Sequence, residues 1–286
     1  MILAADEAAG ARTLKLLQRS ALDVVAIAAK PPAPDGHRSL WATGADLGLP
    51  CFDSRRLGQP ELATELAALE PDVFLNVHSL TKVCPEVLEI ASIGAWNLHP
   101  GPLPEGAGIN VPSWAIALGW REYGVSLHRM TAEYDEGELT YEDRFPIAEG
   151  ATGLTLSAEC GTRGLRLVKR LIDQLVEDPS AVPGEAQDLR RRGYYGRGQP
   201  HDGVIDWSTS SATIEAHVRA ADFRPFDSPW RTPRAEIDGC WFELIDVEVG
   251  APTTEVAGTA RCDEGRIAVA ASDRWLSLIE ARKVTT

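Results

Sequence analysis

The chain is short of cations, of paired cysteines and of long apolar runs. Its 286 residues include 28 Lys and Arg against 42 Asp and Glu, a formal net charge of −14. A nucleic-acid grip is built on clustered Lys and Arg, so a tRNA- or DNA-binding role is disfavoured. The deficit is spread along the chain, with −5 from Gly203 to Thr286 and −9 before it. The five cysteines (Cys51, Cys84, Cys160, Cys240 and Cys262) are odd in number, far apart and form no C-x-x-C. They predict reduced thiols, not a disulfide scaffold or a zinc ribbon. No apolar run approaches the roughly 20 residues of a membrane helix. Met1-Ile-Leu-Ala-Ala runs straight into Asp6 and Glu7, without the basic region of a signal peptide. A cytoplasmic protein is the expectation.

Nucleotide signatures are missing too. The first strand leads into Asp6-Glu-Ala-Ala-Gly10, not G-x-G-x-x-G, and acids there oppose a pyrophosphate at a helix N-terminus. NAD is therefore not expected. Gly106 and Gly108 follow a proline loop and read as a tight turn or close backbone approach. The chain shows no internal repeat and no low-complexity tract.

What is present is a globular composition, 44 % hydrophobic and 24 % charged, at about the length of two domains. Up to about residue 200 strand-like and helix-like pieces alternate. Met1–Ala5, Asp23–Ala29, Asp72–His78 and Gly94–His99 read as strands, the second as one buried on both faces. Ala11–Leu22, Pro60–Leu69 and Pro85–Ala91 read as helices. This βαβ rhythm predicts an open, mostly parallel sheet with ligands at the carboxyl ends of its strands. Asn110 is placed to cap a helix through Leu118, with Pro112 in its first turn. Two β pieces, Gly124–Met130 and Leu139–Ile147, precede a long helix from about Thr155 to Glu177. Asp178–Gln199, with Arg190-Arg-Arg192, reads as a solvated linker before a boundary near 200. A short helix (Ser211–Ala221) and strands at 235–237, 241–249, 267–271 and 275–279 then suggest a small β-barrel or sandwich.

The chemistry is concentrated in Asn97-Leu-His99-Pro-Gly-Pro-Leu-Pro104. Asn97 and His99 are two apart on a strand and share a face, ahead of a proline-stiffened loop. His moves protons near neutral pH and an Asn amide donates to an oxyanion. Glu133-Tyr-Asp135-Glu-Gly137 follows; it is a good turn, and becomes functional only where an acid meets His99.

With those residues in view, the chain resembles the folate-dependent formyltransferases. Asn97–Pro104 resembles the family's N-x-H-P-S-L-L-P, with Gly101 where the family has serine. Asn110-Val-Pro-Ser-Trp-Ala-Ile116 resembles P-x-x-W-A-I. Gly124-Val-Ser-Leu-His-Arg-Met130 resembles G-V-T-x-H-x-M, and Asp135-Glu-Gly-Glu-Leu139 resembles D-T-G-x-I. Gly203-Val-Ile-Asp-Trp207, Ile214 and Val218-Arg-Ala220 are similar to the start of the family's C-terminal domain. The resemblance runs from about Val73 to the end.

It implies a Rossmann-like formyltransferase domain over 1–200 and a small C-terminal β-barrel, OB-like, over 201–286. It also implies N10-formyltetrahydrofolate as donor, no metal, and a catalytic trio of Asn97, His99 and Asp135. An acid paired with His99 is expected to raise its pKa. The implied folate contacts are Ser79, Leu80, Thr81, Val83, Leu103, Glu133 and Tyr134, largely through backbone, with His78, Ile109 and Asn110 toward the acceptor. Glu105-Gly-Ala-Gly108 stands where the tRNA-modifying relative carries arginine, which with the acidity argues against tRNA. The wording is similar to the formyltransferases of nonribosomal-peptide and siderophore pathways, such as the gramicidin synthetase formylation domain. A free or carrier-bound amino-acid amine is therefore the expected acceptor. A dTDP-amino sugar is the alternative, with Arg190–Arg192 as the one basic run for its diphosphate. A formyltetrahydrofolate hydrolase ranks lower, since that family's usual N-terminal regulatory domain is not seen.

The remaining residues read as structural. His128 reads as a packing or hydrogen-bonding group, with Ser126 on the same strand face. His37, His201 and His217 read as surface or linker histidines. Trp96, Trp114 and Trp241 read as core, and Cys84 as a small buried hydrophobe.

Overall fold

In the computed structural model of the chain, residues 1–6, 8–32, 39–263 and 265–284 are described. The order begins β1 (Ile2–Ala5), α1 (Ala8–Leu17), β2 (Ala26–Ala29), α2 (Leu40–Asp46), β3 (Cys51–Asp53), α3 (Glu61–Ala67), β4 (Val73–Val77), α4 (Pro85–Leu88) and β5 (Gly94–His99). It continues through β6 (Ala107–Gly108), α5 (Val111–Ala117), β7 (Glu122–Arg129), β8 (Leu139–Pro146), α6 (Gly153–Glu177), β9 (Tyr194–Tyr195) and α7 (Ser211–Ala220). The last strands are β10 (Arg234–Ile237), β11 (Cys240–Pro252), β12 (Ala260–Asp263), β13 (Arg266–Ala270) and β14 (Arg274–Lys283).

The main sheet has seven strands in the order β3-β2-β1-β4-β5-β7-β8. From β3 to β5 all pairings are parallel, and β7 runs antiparallel to β5. Its inner strands are apolar on both faces because helices cover both. Alternation sends Leu3, Ile27, Leu75, Trp96 and Leu98 to one core with Leu14 of α1 and Val168 and Leu171 of α6. Ile2, Ala4, Phe74 and Ala95 go to the other, with Leu62 and Leu66 of α3 and Val87 of α4. Gly164 of α6 permits a close approach: a Cβ there would sit 2.7 Å from Leu98 Cδ2, on the residue between Asn97 and His99. Strand order reverses between β1 and β4, whose carboxyl ends form the crevice in which such sheets place ligands.

Two elements were not anticipated before Pro60. α2 and β3 lie between Leu40 and Asp53, and β3 is a three-residue edge strand too short to show a period. Asn110 does occupy the N-cap position of α5, but in a left-handed conformation (φ 56°) with no side-chain capping bond. The capping expectation is corrected on that point.

The C-terminal strands form a five-stranded antiparallel sheet, β10-β11-β14-β13-β12, curled over a core that includes Ile214 and Val218 of α7. Register shifts between Leu244 and Pro252 bend the long β11. β12 was not foreseen, and the edges β10 and β12 do not pair, so the sheet is a half-barrel and not a closed one. Residues 1–107, 124–144 and 160–194 make one compact unit, and residues 108–123, 145–159 and 195–286 make another.

Candidate active site

Three strand-end side chains line up because of register. Asn76 on β4 stands opposite Asn97 on β5, and Asn97 stands opposite His128 on β7. Asn76 Nδ2 donates to Asn97 Oδ1 at 3.0 Å, and Asn97 Nδ2 lies 3.1 Å from His128 Nε2. His128 Nδ1 is 2.8 Å from the Arg129 carbonyl, which can only accept, so Nδ1 carries the proton and Nε2 accepts from Asn97. Both ends of the Asn97 amide are thereby fixed. Its second N–H meets no acceptor among the described residues.

His99 ends β5 and is buried. Its Nε2 donates to the Gly106 carbonyl at 2.6 Å, across the proline loop that follows the strand. Gly101 allows this contact: a Cβ there would sit 2.7 Å from His99 Nε2 and 2.5 Å from the Gly106 oxygen. The other ring nitrogen, Nδ1, faces Asp135 Oδ1 at 3.6 Å, and the same oxygen is 3.6 Å from His128 Nε2. The trio of Asn97, His99 and Asp135 thus meets in space, with His128 as a fourth member. Asp135 reaches inward from a left-handed backbone position (φ 57°), which Asp adopts more readily than most residues.

Burial pushes the His99 pKa below its ordinary value, although the nearby Asp135 carboxylate works in the opposite direction. The expected upward shift is corrected: loss of hydration outweighs the ion pair, and the resting ring is neutral. With Nε2–H committed to Gly106, Nδ1 is the bare nitrogen. A proton arriving there would change an opposition of lone pairs into an ion pair with Asp135.

The implied folate residues fall into two sets. Loops 78–84 and 132–135 are brought together, since Lys82 Nζ lies 4.7 Å from the centre of the Tyr134 ring. Leu80 and Tyr134, one on each loop, are 62 % and 47 % exposed. Thr81 is half-buried and Glu133 exposed, the latter accepting from Thr131 through its carbonyl. Val83 and Leu103 are instead buried, Val83 within the second core, so neither offers a side chain to a ligand. His78 follows β4, half-buried and left-handed (φ 56°). Ile109 and Asn110 belong to the second compact unit, where the Ile109 N–H donates to the Tyr195 carbonyl.

Asp6, at the end of β1, was read only as an acid opposing phosphate. Its Oδ1 accepts from Ser54 Oγ (2.8 Å) and the Lys30 N–H (2.9 Å), and its Oδ2 from Ser79 Oγ (3.2 Å). One carboxylate therefore joins the segments after β1, β2, β3 and β4.

Other expectations change as well. The arginine run is solvated as expected at Arg190 and Arg191, which are exposed and pair with Asp188 and Glu105, whereas Arg192 is half-buried against Glu136 and the Tyr134 carbonyl. His217 is a buried residue on α7, not a surface one. His201 is exposed, and His37 lies outside the described residues. Trp96 is core and Cys84 is buried, whereas Trp114 and Trp241 are half-buried. Among the described residues no group of three His, Cys, Asp or Glu could hold a metal, and no helix is long and apolar enough to cross a membrane.

This arrangement has counterparts. Residues 7–170 match the formyl transferase family, and residues 198–285 match the formyl transferase C-terminal domain. The chain belongs to the formyl transferase family. It is accordingly an enzyme that transfers formyl groups. The N-formyltransferase from Helicobacter canadensis, solved with folinic acid and dTDP-3-aminofucose, is similar at 15 % identity and TM-score 0.69, over 99 % of each chain. WlaRD, a sugar 3-N-formyltransferase solved with dTDP and 5-N-formyl-THF, is similar at 16 % identity and TM-score 0.69, over 100 % of this chain and 97 % of that one. HypX from Aquifex aeolicus, solved with tetrahydrofolic acid, matches 99 % of this chain but 44 % of its own length, at 18 % identity and TM-score 0.59. At these identities the likeness establishes the fold.

Proposed function

We propose that this formyltransferase moves the formyl group of N10-formyltetrahydrofolate to the primary amine of a nucleotide-linked amino sugar, with its catalytic groups in 1–200. The observation that carries the transfer is the meeting of Asn97, His99 and Asp135 at the carboxyl ends of the strands, with the Asn97 amide fixed at both ends. The donor's fit is supported by the joined loops 78–84 and 132–135, whose exposed Leu80 and Tyr134 suit a flat ring system.

The donor supplies an electrophilic formyl carbon whose oxygen gains negative charge as the amine adds. The free N–H of Asn97 is suited to stabilise that oxygen, and its fixed orientation lowers the reorganisation needed. His99 accepts the amine proton at Nδ1, and Asp135 stabilises the charged ring. As the oxyanion collapses the bond from the formyl carbon to N10 breaks, and His99 returns that proton to N10 so that tetrahydrofolate leaves. The Gly106 carbonyl holds the tautomer that leaves Nδ1 bare. Burial of His99 keeps the base neutral before the amine arrives.

The sugar-nucleotide acceptor is supported by the two sugar N-formyltransferases, which are similar over nearly their whole lengths. A second reading, an amino-acid amine, is favoured by one observation: a diphosphate would have to compete with Asp188, Glu105 and Glu136 for Arg190, Arg191 and Arg192. The two are separated by following donor consumption with a dTDP-amino sugar, N-hydroxyornithine and a carrier-loaded amino acid in parallel. Turnover with the sugar alone supports the first reading, and turnover with an amino acid alone replaces it. Donor consumption without any amine would make the enzyme a hydrolase.

A further inference from the structure

The acidity of the chain is reversed in a few short segments, among them 189–200 and two that pack on one core. From Ala8 to Leu22 there are three cations and no carboxylate, and from Gly161 to Ile172 there are four cations and no carboxylate. Without these seven cations the rest of the chain stands at −21. The two segments lie in α1 and its exit and in α6, which share the first core through Leu14, Val168 and Leu171. Between them is a cleft of about 340 Å³. Arg12, Lys15 and Arg19 rim one side, at i, i+3 and i+7, and Arg166 and Lys169 rim the other. Leu16 and Leu165 form its half-buried floor.

The other cations of α6 within this unit have partners. Arg163 holds Asp143, Arg170 stacks on Tyr141, and Lys169 shares an exposed pair with Asp173. Arg12, Lys15, Arg19 and Arg166 form no ion pair with another described residue. With no ion-pair partner among the described residues, these four cations around an apolar floor repel one another. Macrodipole compensation explains a cation at the end of α1 but not Arg12 near its start or Arg166 in the middle of α6.

We propose that this cleft docks an acidic, amphipathic segment of a partner protein, its apolar side chain on Leu16 and Leu165 and its carboxylates against the arginine rim. The apolar floor favours this occupant over a phosphate backbone, which presents no apolar group. Recession of the leucines between the cations favours it over a bilayer, into which apolar side chains must protrude. The long-range field of a −14 chain repels an acidic partner over most of the surface, so this patch biases the orientation of the encounter.

The test uses a fluorescent peptide of about 16 residues with Leu at helical spacing flanked by Glu, read by anisotropy against the full chain. A scrambled peptide of equal charge, a DNA duplex and phosphatidylserine vesicles are run beside it. The amphipathic peptide is expected to bind more tightly than the scramble, with affinity falling as salt rises. Arg12→Glu combined with Arg166→Glu is expected to weaken it by about tenfold or more, and Leu165→Asn to weaken it at unchanged charge. Melting temperatures establish that the variants are folded, and their formyl transfer stays at the wild-type level. Equal binding of the scramble, preference for DNA or vesicles, salt-dependent self-association through the patch, or no binding at all would each overturn the proposal.

Discussion

His99 Nδ1 faces Asp135 Oδ1 at 3.6 Å, while the opposite ring nitrogen is held by the Gly106 carbonyl. This pair sets the pH behaviour expected of the enzyme. Because burial holds the His99 pKa below its ordinary 6.5, the neutral base is lost only in acid, and kcat/KM is expected to fall on a limb below pH 6.5. Asp135→Asn removes the influence that raises this pKa, so the limb should move to lower pH as turnover drops by about a hundredfold. His99→Gln should cost at least as much and abolish the limb. A limb that stays in place in both variants would show that His99 is not the titrating base.

Asn97 and His128 are expected to act as a unit. Asn97→Ala removes the amide that His128→Ala releases, so the effects of the two substitutions on turnover should not add. A double-mutant cycle is expected to give a coupling of about 1 kcal/mol or more. Additive losses would separate the two residues.

Gly101→Ser restores the family's motif residue, yet here it brings a Cβ within 2.7 Å of His99 Nε2. The His99 ring must turn from Gly106 or the loop must shift. Turnover should fall by about tenfold or more, with far-ultraviolet circular dichroism unchanged. Full activity would show that the loop accommodates serine without moving the histidine.

His217, buried on α7, has its pKa pushed down to about 4 by desolvation and by nearby His201. The unfolded chain binds this proton near pH 6.5. The neutral buried ring therefore contributes stability that is complete above pH 6.5 and lost as pH falls from there to about 4. The contribution is on the order of 3 kcal/mol. Thermal melts between pH 7.5 and 4.5 should drop less steeply for His217→Gln than for the parent. Parallel curves would contradict the assignment.

Much of this site was legible because its parts are local. Asn97 and His99 share a strand face by alternation alone, and Asp135 follows from an ordered motif. The partners of Asn97 were not legible, since nothing in Val73–Val77 or Glu122–Arg129 states the register that sets Asn76 and His128 beside it. His128 was read as a structural group for that reason. The direction of the His99 shift was missed because a carboxylate can be seen in a sequence and the depth of burial cannot. Likewise nothing near the arginine run states that Glu105 and Glu136 come round to pair with Arg191 and Arg192. β3 and β12 were too short to carry a period of their own.

The carboxylate of Asp6 bears on how the ligand edge of the sheet opens. It binds the Lys30 amide and the hydroxyls of Ser54 and Ser79, which follow three different strands. Those segments cannot fray one at a time without stranding an acceptor they hold in common, so they should breathe as one cooperative unit. In hydrogen exchange, the Lys30 amide and the amides around Ser54 and Ser79 should share one opening free energy in the parent. In Asp6→Ala that value should split into separate, lower ones.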